Sequence, residues 1–342
     1  MKRIKVILIA GALAVTSVGC AFGGEGASVA SESEQTGAEA GGVAETSKSD
    51  AENAGSSEAL DALIAGTGTV SFKYYMDNVY KEGEYQSDED ETVSHLSADK
   101  EYTLSDLKSA FNEMFGNEEY CYASGEVTSM EYAYLDCGAD GEKELALRVQ
   151  GPFVEPDSYM TYVIKEIDSK LQVVYAYAEW SRSATNMNEY GYITGGGSNG
   201  ASNQGETAAY INADGKYAYG YYEEAEGDID MFAALKDHDS YDTANLDGAI
   251  CVYGLWLEPY NEENPDAQFY SYSVYDTQTY EETEVPNLYT DSKYKDVMDS
   301  FKGITFITMD ELKKKEDEKL KSIGVTEEIK NGKELNYQEI KL

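Results

Sequence analysis

Histidine is nearly absent from this chain of 342 residues, which has only His95 and His238. Both lie in polar stretches that read as solvated loops. A histidine-rich zinc site is therefore improbable, and a serine or cysteine triad would have to recruit one of these two as its base. Proline is scarce, with five residues, and cysteine is limited to Cys20, Cys121, Cys137 and Cys251. No CxxC spacing occurs, so nothing in the cysteine pattern points to a ligand pair or a redox pair. Three cysteines beyond Cys20 leave room for one disulfide, with Cys121 and Cys137 nearest in sequence, or for three reduced thiols. Basic residues are few as well. Twenty-six Lys and Arg stand against 65 Asp and Glu, a formal charge of −39. Such a field repels phosphate backbones and anionic lipid, which excludes nucleic acid as a partner. No apolar run approaches the eighteen residues that a lasting membrane helix needs.

The amino terminus has its own grammar. Met1-Lys2-Arg3-Ile4-Lys5 is a basic start, Val6–Val15 an apolar stretch interrupted by Gly11, and Ser17-Val18-Gly19-Cys20 a small-residue exit. This is the layout of a cleaved secretory signal over residues 1–19. Its end resembles a bacterial lipobox, although Ser17 stands where an aliphatic residue is usual. The resemblance implies that Cys20 carries a diacylglyceryl group and anchors the chain to the extracytoplasmic face of the cell membrane. Two acyl chains suffice for a stable anchor where one does not. An ordinary cleaved signal with a bare thiol is the alternative. Residues 20–57 are mostly Gly, Ala, Ser, Glu and Thr. They cannot bury enough apolar surface to offset ordering entropy, and read as a disordered spacer with a reach of about 30–37 Å.

Residues 58–342 carry the globular signals. Thirty tyrosines outnumber nine phenylalanines and two tryptophans, a bias that suits half-wet antiparallel strands. The expected fold is α+β, mainly antiparallel β-sheet with a few peripheral helices, in one body or in two lobes split near 225–245. Helices are expected over Glu58–Ala65, from Thr103 to Phe115 behind a Thr103/Asp106 capping box, over Asp228–Lys236, and from Thr308 to Ile323 behind a Thr308/Glu311 box. Strands are expected within Thr69–Tyr80 and over Glu131–Leu135, Leu145–Gln150, Tyr159–Ile167, Leu171–Trp180, Glu189–Thr194, Thr207–Ile211, Lys216–Glu223, Ala249–Leu257, Gln268–Tyr275 and Ile304–Ile307. Tyr85–Lys100 reads as an exposed loop. Gly195–Gly205 also reads as a loop; its formal GxGxxG lacks the following helix that a pyrophosphate site requires.

One loop carries metal chemistry in its pattern. Asp136-Cys137-Gly138-Ala139-Asp140-Gly141-Glu142-Lys143-Glu144-Leu145 resembles the DxDxDGxxEL loop of extracellular calcium-binding repeats. The resemblance implies carboxylates from Asp136, Asp140 and Glu144, a backbone carbonyl from Glu142, and Gly141 at the turn. Calcium wants six to eight oxygens, and Gly138 stands where a further acid is usual. The competing reading is a strand turn in which Asp136 and Asp140 cap their own backbone. The same segment, with the Thr103 helix, Trp180–Ile193 and the closing Thr308 helix, is similar to uncharacterised surface lipoproteins of Gram-positive bacteria. That resemblance implies an address more than an activity. The sequence thus leads to the expectation of a membrane-anchored extracytoplasmic lipoprotein. Its expected role is non-catalytic, binding a glycan, peptide or envelope component, with Trp180, Trp256 and clustered tyrosines as contacts. The alternative is a secreted carboxylate-based hydrolase acting on glycans.

Overall fold

The computed structural model describes residues 57–79, 92–117, 124–259 and 265–341. The signal, Cys20, the spacer through residue 56, Cys121 and much of the Tyr85–Lys100 loop lie outside the described residues. Among the described residues, thirteen strands form two sheets. The first holds β1 (Val70–Ser71), β2 (Glu101–Tyr102), β3 (Ser129–Leu135), β4 (Glu144–Gly151), β5 (Ser158–Ile167), β6 (Lys170–Glu179) and β13 (Gln338–Glu339), in the order β13-β3-β4-β5-β6-β1-β2. The second holds β7 (Ser183–Met187), β8 (Tyr192–Ser198), β9 (Asn203–Ile211), β10 (Tyr217–Glu226), β11 (Ala249–Trp256) and β12 (Phe269–Tyr275), in the order β12-β11-β10-β9-β8-β7. All pairings are antiparallel except β1 with β6. The fold is α+β and mainly β, as its composition leads one to expect. No helix among the described residues is long and apolar enough to cross a membrane.

The alternation of side chains builds four layers. Leu145, Leu147 and Val149 of β4 and Met160, Tyr162 and Ile164 of β5 pack against α1 (Glu58–Ile64), α2 (Lys73–Asn78) and α3 (Leu104–Phe115). The opposite face of that sheet presents Ala146, Val163, Val174 and Tyr177. These meet Met187, Ile193, Ala209 and Ile211 of the second sheet in one apolar cluster. Tyr175 stacks on Tyr217 across the same seam, with ring centroids 4.7 Å apart. The far face of the second sheet is covered by α6 (Met309–Ser322) and α7 (Glu327–Lys330), through Leu312, Leu320 and Ile329. The near face, beyond the seam, packs on α4 (Ile229–Ala233) and α5 (Lys293–Met298), through Ile250, Val252, Tyr272 and Val274. The chain changes sheet between β6 and β7. The expected seam at 225–245 instead falls in the connection between β10 and β11, which pair directly.

Three local expectations are corrected. Thr69–Tyr80 yields only a two-residue strand before α2. Ser71 Oγ accepts from the Lys73 N–H at 3.1 Å, and Asn78 Nδ2 donates to the Tyr74 carbonyl at 2.9 Å, so side-chain bonds to nearby backbone outweigh strand propensity. Gly195–Gly205 is largely strand, because β8 is paired on both sides, with Gly195 opposite Thr185 and Thr207. Ile304–Ile307 supplies a single parallel bridge, Tyr270 to Phe306, in place of a strand. Both expected capping boxes are present. Thr103 and Asp106 exchange bonds of 3.1 Å in each direction, and the Thr308–Glu311 pair does so at 2.9 and 3.2 Å.

One residue rephases β10. Tyr219 pairs with Ala209 and Tyr221 with Ala208, so Gly220 is a bulge. Before it Tyr217 and Tyr219, and after it Tyr222, Glu224 and Glu226, share the near face, while Tyr221, Glu223 and Ala225 turn toward α6. A Cβ on Gly220 would lie 2.5 Å from the Ala208 carbonyl oxygen and 3.0 Å from Leu320. Replacing Gly220 with Val is expected to cost about 1–3 kcal/mol in urea denaturation, the range for overpacking a filled site; an unchanged midpoint contradicts the bulge.

Between β10 and α6 lies a crowded carboxyl pair, Glu223 buried and Glu316 half-buried. Burial, then the charges of Glu316 and Glu206, push Glu223 up to about 8, and burial raises Glu316 too. Tyr192, Tyr221, Lys313 and Asp317 are the other titratable groups around the pair. A carboxyl whose folded pKa is raised contributes fully below its ordinary value and loses that contribution as pH climbs through the folded one. The melting temperature is therefore expected to fall from just above pH 4.5 to about pH 8 and to level off beyond it. Glu223→Gln should flatten that slope in thermal denaturation followed by circular dichroism.

Candidate functional site

The acidic loop folds as a junction between the sheets. Asp136 Oδ1 accepts from the N–H groups of Asp140 and Gly141 at 2.9 and 3.0 Å, and Asp140 Oδ1 accepts from the Glu142 N–H at 2.9 Å. Glu144 is fully buried. One of its oxygens takes the Cys137 N–H at 2.8 Å and the other the Lys165 ammonium at 2.5 Å. Burial pushes the Glu144 carboxyl above its ordinary value, against the pull of Lys165 and the Cys137 N–H. Glu142 points outward, 76% exposed, and lies 3.6 Å from Lys165. Gly138, at φ +87°, sits where a Cβ would be 2.7 Å from the backbone nitrogen of Ala213, in the turn between β9 and β10. The position that the calcium pattern fills with an acid is thus pressed against the second sheet, and no side chain fits. Among the described residues no group of three or more His, Cys, Asp or Glu side chains is placed to hold a metal ion. The donors do not fit calcium: Asp136 and Asp140 cap the turn, and Glu144 closes an ion pair.

Cys137 is a buried free thiol, pushed well up in pKa by burial and by Glu144. Cys251 is likewise buried, in the core under α6. His95 is exposed, and His238 packs its ring on Tyr241 and Phe301, at 5.3 and 5.7 Å between centroids. Trp180 bridges to Ser183 where the chain changes sheet. A small cavity of about 190 Å³ near that crossing contains Arg148, whose charge is met by Glu179 at 3.3 Å and by the Tyr159 ring at 3.9 Å.

Trp256 leads to a larger space. Between the seam and α4, the described residues leave part of the near face of the second sheet uncovered, and it forms a groove of about 560 Å³, lined by residues that include Tyr219, Tyr222, Glu224, Glu226, Lys236 and Trp256. Its floor is aromatic because two strand glycines leave room for rings to lie close against the strands. A Cβ on Gly205 would be 2.8 Å from the Tyr222 ring, and one on Gly254 would be 3.1 Å from the Trp256 ring. The two rings sit 5.4 Å apart at an angle of 42°. Each is pinned by its polar end. Asn199 donates to the Tyr222 hydroxyl at 2.6 Å, and Trp256 Nε1 donates to the Pro265 carbonyl at 3.2 Å. Tyr219 donates to the Trp256 carbonyl at 3.2 Å. Burial and the Glu224 carboxylate push the Tyr222 hydroxyl up to about 12, so it stays a donor at neutral pH.

The carboxylates are oriented by a single amide. Asn203 Nδ2 donates to Glu224 at 2.8 Å and to Glu226 at 3.2 Å. The second Glu224 oxygen accepts from Tyr222 at 3.2 Å, and the second Glu226 oxygen accepts from the Asp228 N–H at 3.0 Å. The groove therefore offers two ring faces and two held carboxylates side by side. Of the nominated contacts, Trp256 is part of it and Trp180 is not. Tyr219 and Tyr222 belong to the clustered tyrosines expected as contacts, whereas Glu224 and Glu226 are additions of the structure. The signal was present in Tyr217-Ala218-Tyr219-Gly220-Tyr221-Tyr222-Glu223-Glu224-Ala225-Glu226, where a lone strand glycine announces a bulge.

No family model matches this chain, and no curated protein or solved structure matches it either.

The ion pair under the acidic loop is the strongest electrostatic feature of the junction. Lys165→Met leaves Glu144 buried without its partner and is expected to cost roughly 3–5 kcal/mol. Urea denaturation should register that loss, and millimolar calcium should not restore it; restoration by calcium would reinstate a cation site.

Proposed function

We propose that this chain is a lipid-tethered extracytoplasmic protein that binds glycan, without catalysis, on the Tyr222–Trp256 platform. The observation that carries the binding role is the pair of rings held close over Gly205 and Gly254 in a groove, beside carboxylates already oriented by Asn203. Flat ring faces suit the apolar faces of sugar rings, and fixed carboxylates suit their hydroxyls. A peptide is less well served. Extended peptides add to a free sheet edge, and here the floor is a sheet face whose backbone is paired on both sides in β10 and β11. A lipid chain is less well served still, because two carboxylates line the wall and burying them under hydrocarbon is costly. The tether rests on the basic start, the short apolar stretch and Cys20. It would hold the groove away from the headgroups on the spacer.

One observation favours a second reading, glycan hydrolysis. Glu224 and Glu226 converge on the same Asn203 nitrogen, and retaining glycosidases use carboxyl groups about 5–5.5 Å apart. Both glutamates, however, rise from alternate positions of one strand with their oxygens already bonded, and neither is set across the groove from the other.

Calorimetric titration of the full-length chain with neutral and charged oligosaccharides tests the binding role. Trp256→Ala should weaken glycan binding at least tenfold, about 1.4 kcal/mol, with the melting temperature showing that the variant folds. Incubation of bound oligosaccharide with wild type and with the Glu224→Gln variant should yield no cleavage products from either. Cleavage by wild type alone would establish the hydrolase; unaltered affinity in Trp256→Ala would remove the platform.

A further inference from the structure

We infer that the groove selects a sugar bearing a free ammonium group, a glucosamine-type residue, over neutral, N-acetylated or acidic sugars. This rests on the glycan reading above and adds a charge to the ligand. Among the described residues, the charged side chains of the lining are Glu224, Glu226 and Lys236. Lys236 is committed, donating to the Asp266 carboxylate and to the Tyr270 hydroxyl, the latter at 3.1 Å. Its charge is thus met outside the ring platform, and the two glutamates leave the groove negative. Each glutamate oxygen accepts one described bond, from Asn203, Tyr222 or the Asp228 N–H. A carboxylate oxygen can accept a second donor, so the pair retains capacity for the N–H groups of an ammonium.

The rings act in the same sense. The faces of Trp and Tyr attract cations, with Trp the stronger, and Tyr222 and Trp256 stand 5.4 Å apart beside the carboxylates. Tyr222 itself donates to Glu224, which ties ring and charge into one unit. A glucosamine residue presents an apolar ring face to such a platform and an ammonium to its acidic edge. N-acetylation removes the charge. A uronic acid or phosphorylated sugar brings a like charge to the glutamates, within a chain whose net charge is −39.

The test is calorimetric titration of the full-length chain, at pH 6 and low salt, with three probes. They are a β-1,4-linked glucosamine tetramer, its N-acetylated counterpart and a β-1,4-linked glucose tetramer, with tetramethylammonium as a fourth arm. The glucosamine tetramer should bind at least tenfold more tightly than either uncharged sugar. That preference should shrink below threefold in 0.5 M salt, and also in the E224Q/E226Q variant. The wild-type comparison needs no variant, so a misfolded double substitution leaves the inference exposed to test. Equal binding of all three sugars overturns the charge selection and leaves the glycan reading standing. Binding of no sugar removes both. Binding of tetramethylammonium with no sugar also overturns the proposal, and marks the groove as a site for quaternary ammonium alone.

Discussion

The extra residue in β10 sets what each face of the second sheet can do. Without Gly220, Tyr217 and Tyr219 would share a face with Tyr221 and Glu223, and the strand could not both meet the first sheet and floor the groove. With the bulge, Tyr217 stacks on Tyr175 at the seam, while Tyr219, Tyr222, Glu224 and Glu226 continue along the same side into open space. On the other side Tyr221 and Ala225 close the core under α6. A bulge bends and twists its strand, and this one is wedged between the Ala208 carbonyl and Leu320. Core, seam and groove therefore share one backbone irregularity, and changes there should be felt in all three.

An acid-rich chain must place its carboxylates with care, and three uses are visible. On the acidic loop they satisfy backbone donors and one lysine, converting a turn into a strut between sheets. Under α6 Glu223 and Glu316 are crowded, and burial with like charge favours a proton on Glu223. In the groove they are half-exposed and hydrogen-bonded beside rings, with acceptor capacity to spare. Only the last arrangement faces a space large enough for a ligand. The same residue type is thus structural in two places and ligand-facing in a third, and burial with local donors makes the difference.

Much of the fold was legible because its signals are local. The capping boxes at Thr103 and Thr308 declare their helices through residues three apart, and the runs of β-branched, aromatic and aliphatic residues in β4, β5 and β6 declare strands buried on both faces. The Asn212-Ala213-Asp214-Gly215 turn is equally plain. What was not legible depended on partners distant in sequence. The glycines of β8 read as loop until both neighbouring strands are in place. Gly138 reads as a defect in a cation loop until Ala213 is seen against it. Glu144 reads as a ligand until Lys165 is found beside it. The groove was half legible: Trp256 stood out by rarity, whereas Tyr222 was hidden among thirty tyrosines and gains meaning only from Gly205 on the next strand.

The most direct measurement exploits the two tryptophans. In a Trp180→Phe variant all indole fluorescence comes from Trp256, on the groove floor. Saturable quenching or a spectral shift on adding an oligosaccharide, lost when Tyr222 is replaced by Ala, is the result this account predicts. An emission spectrum indifferent to every oligosaccharide, from a folded protein, would contradict it.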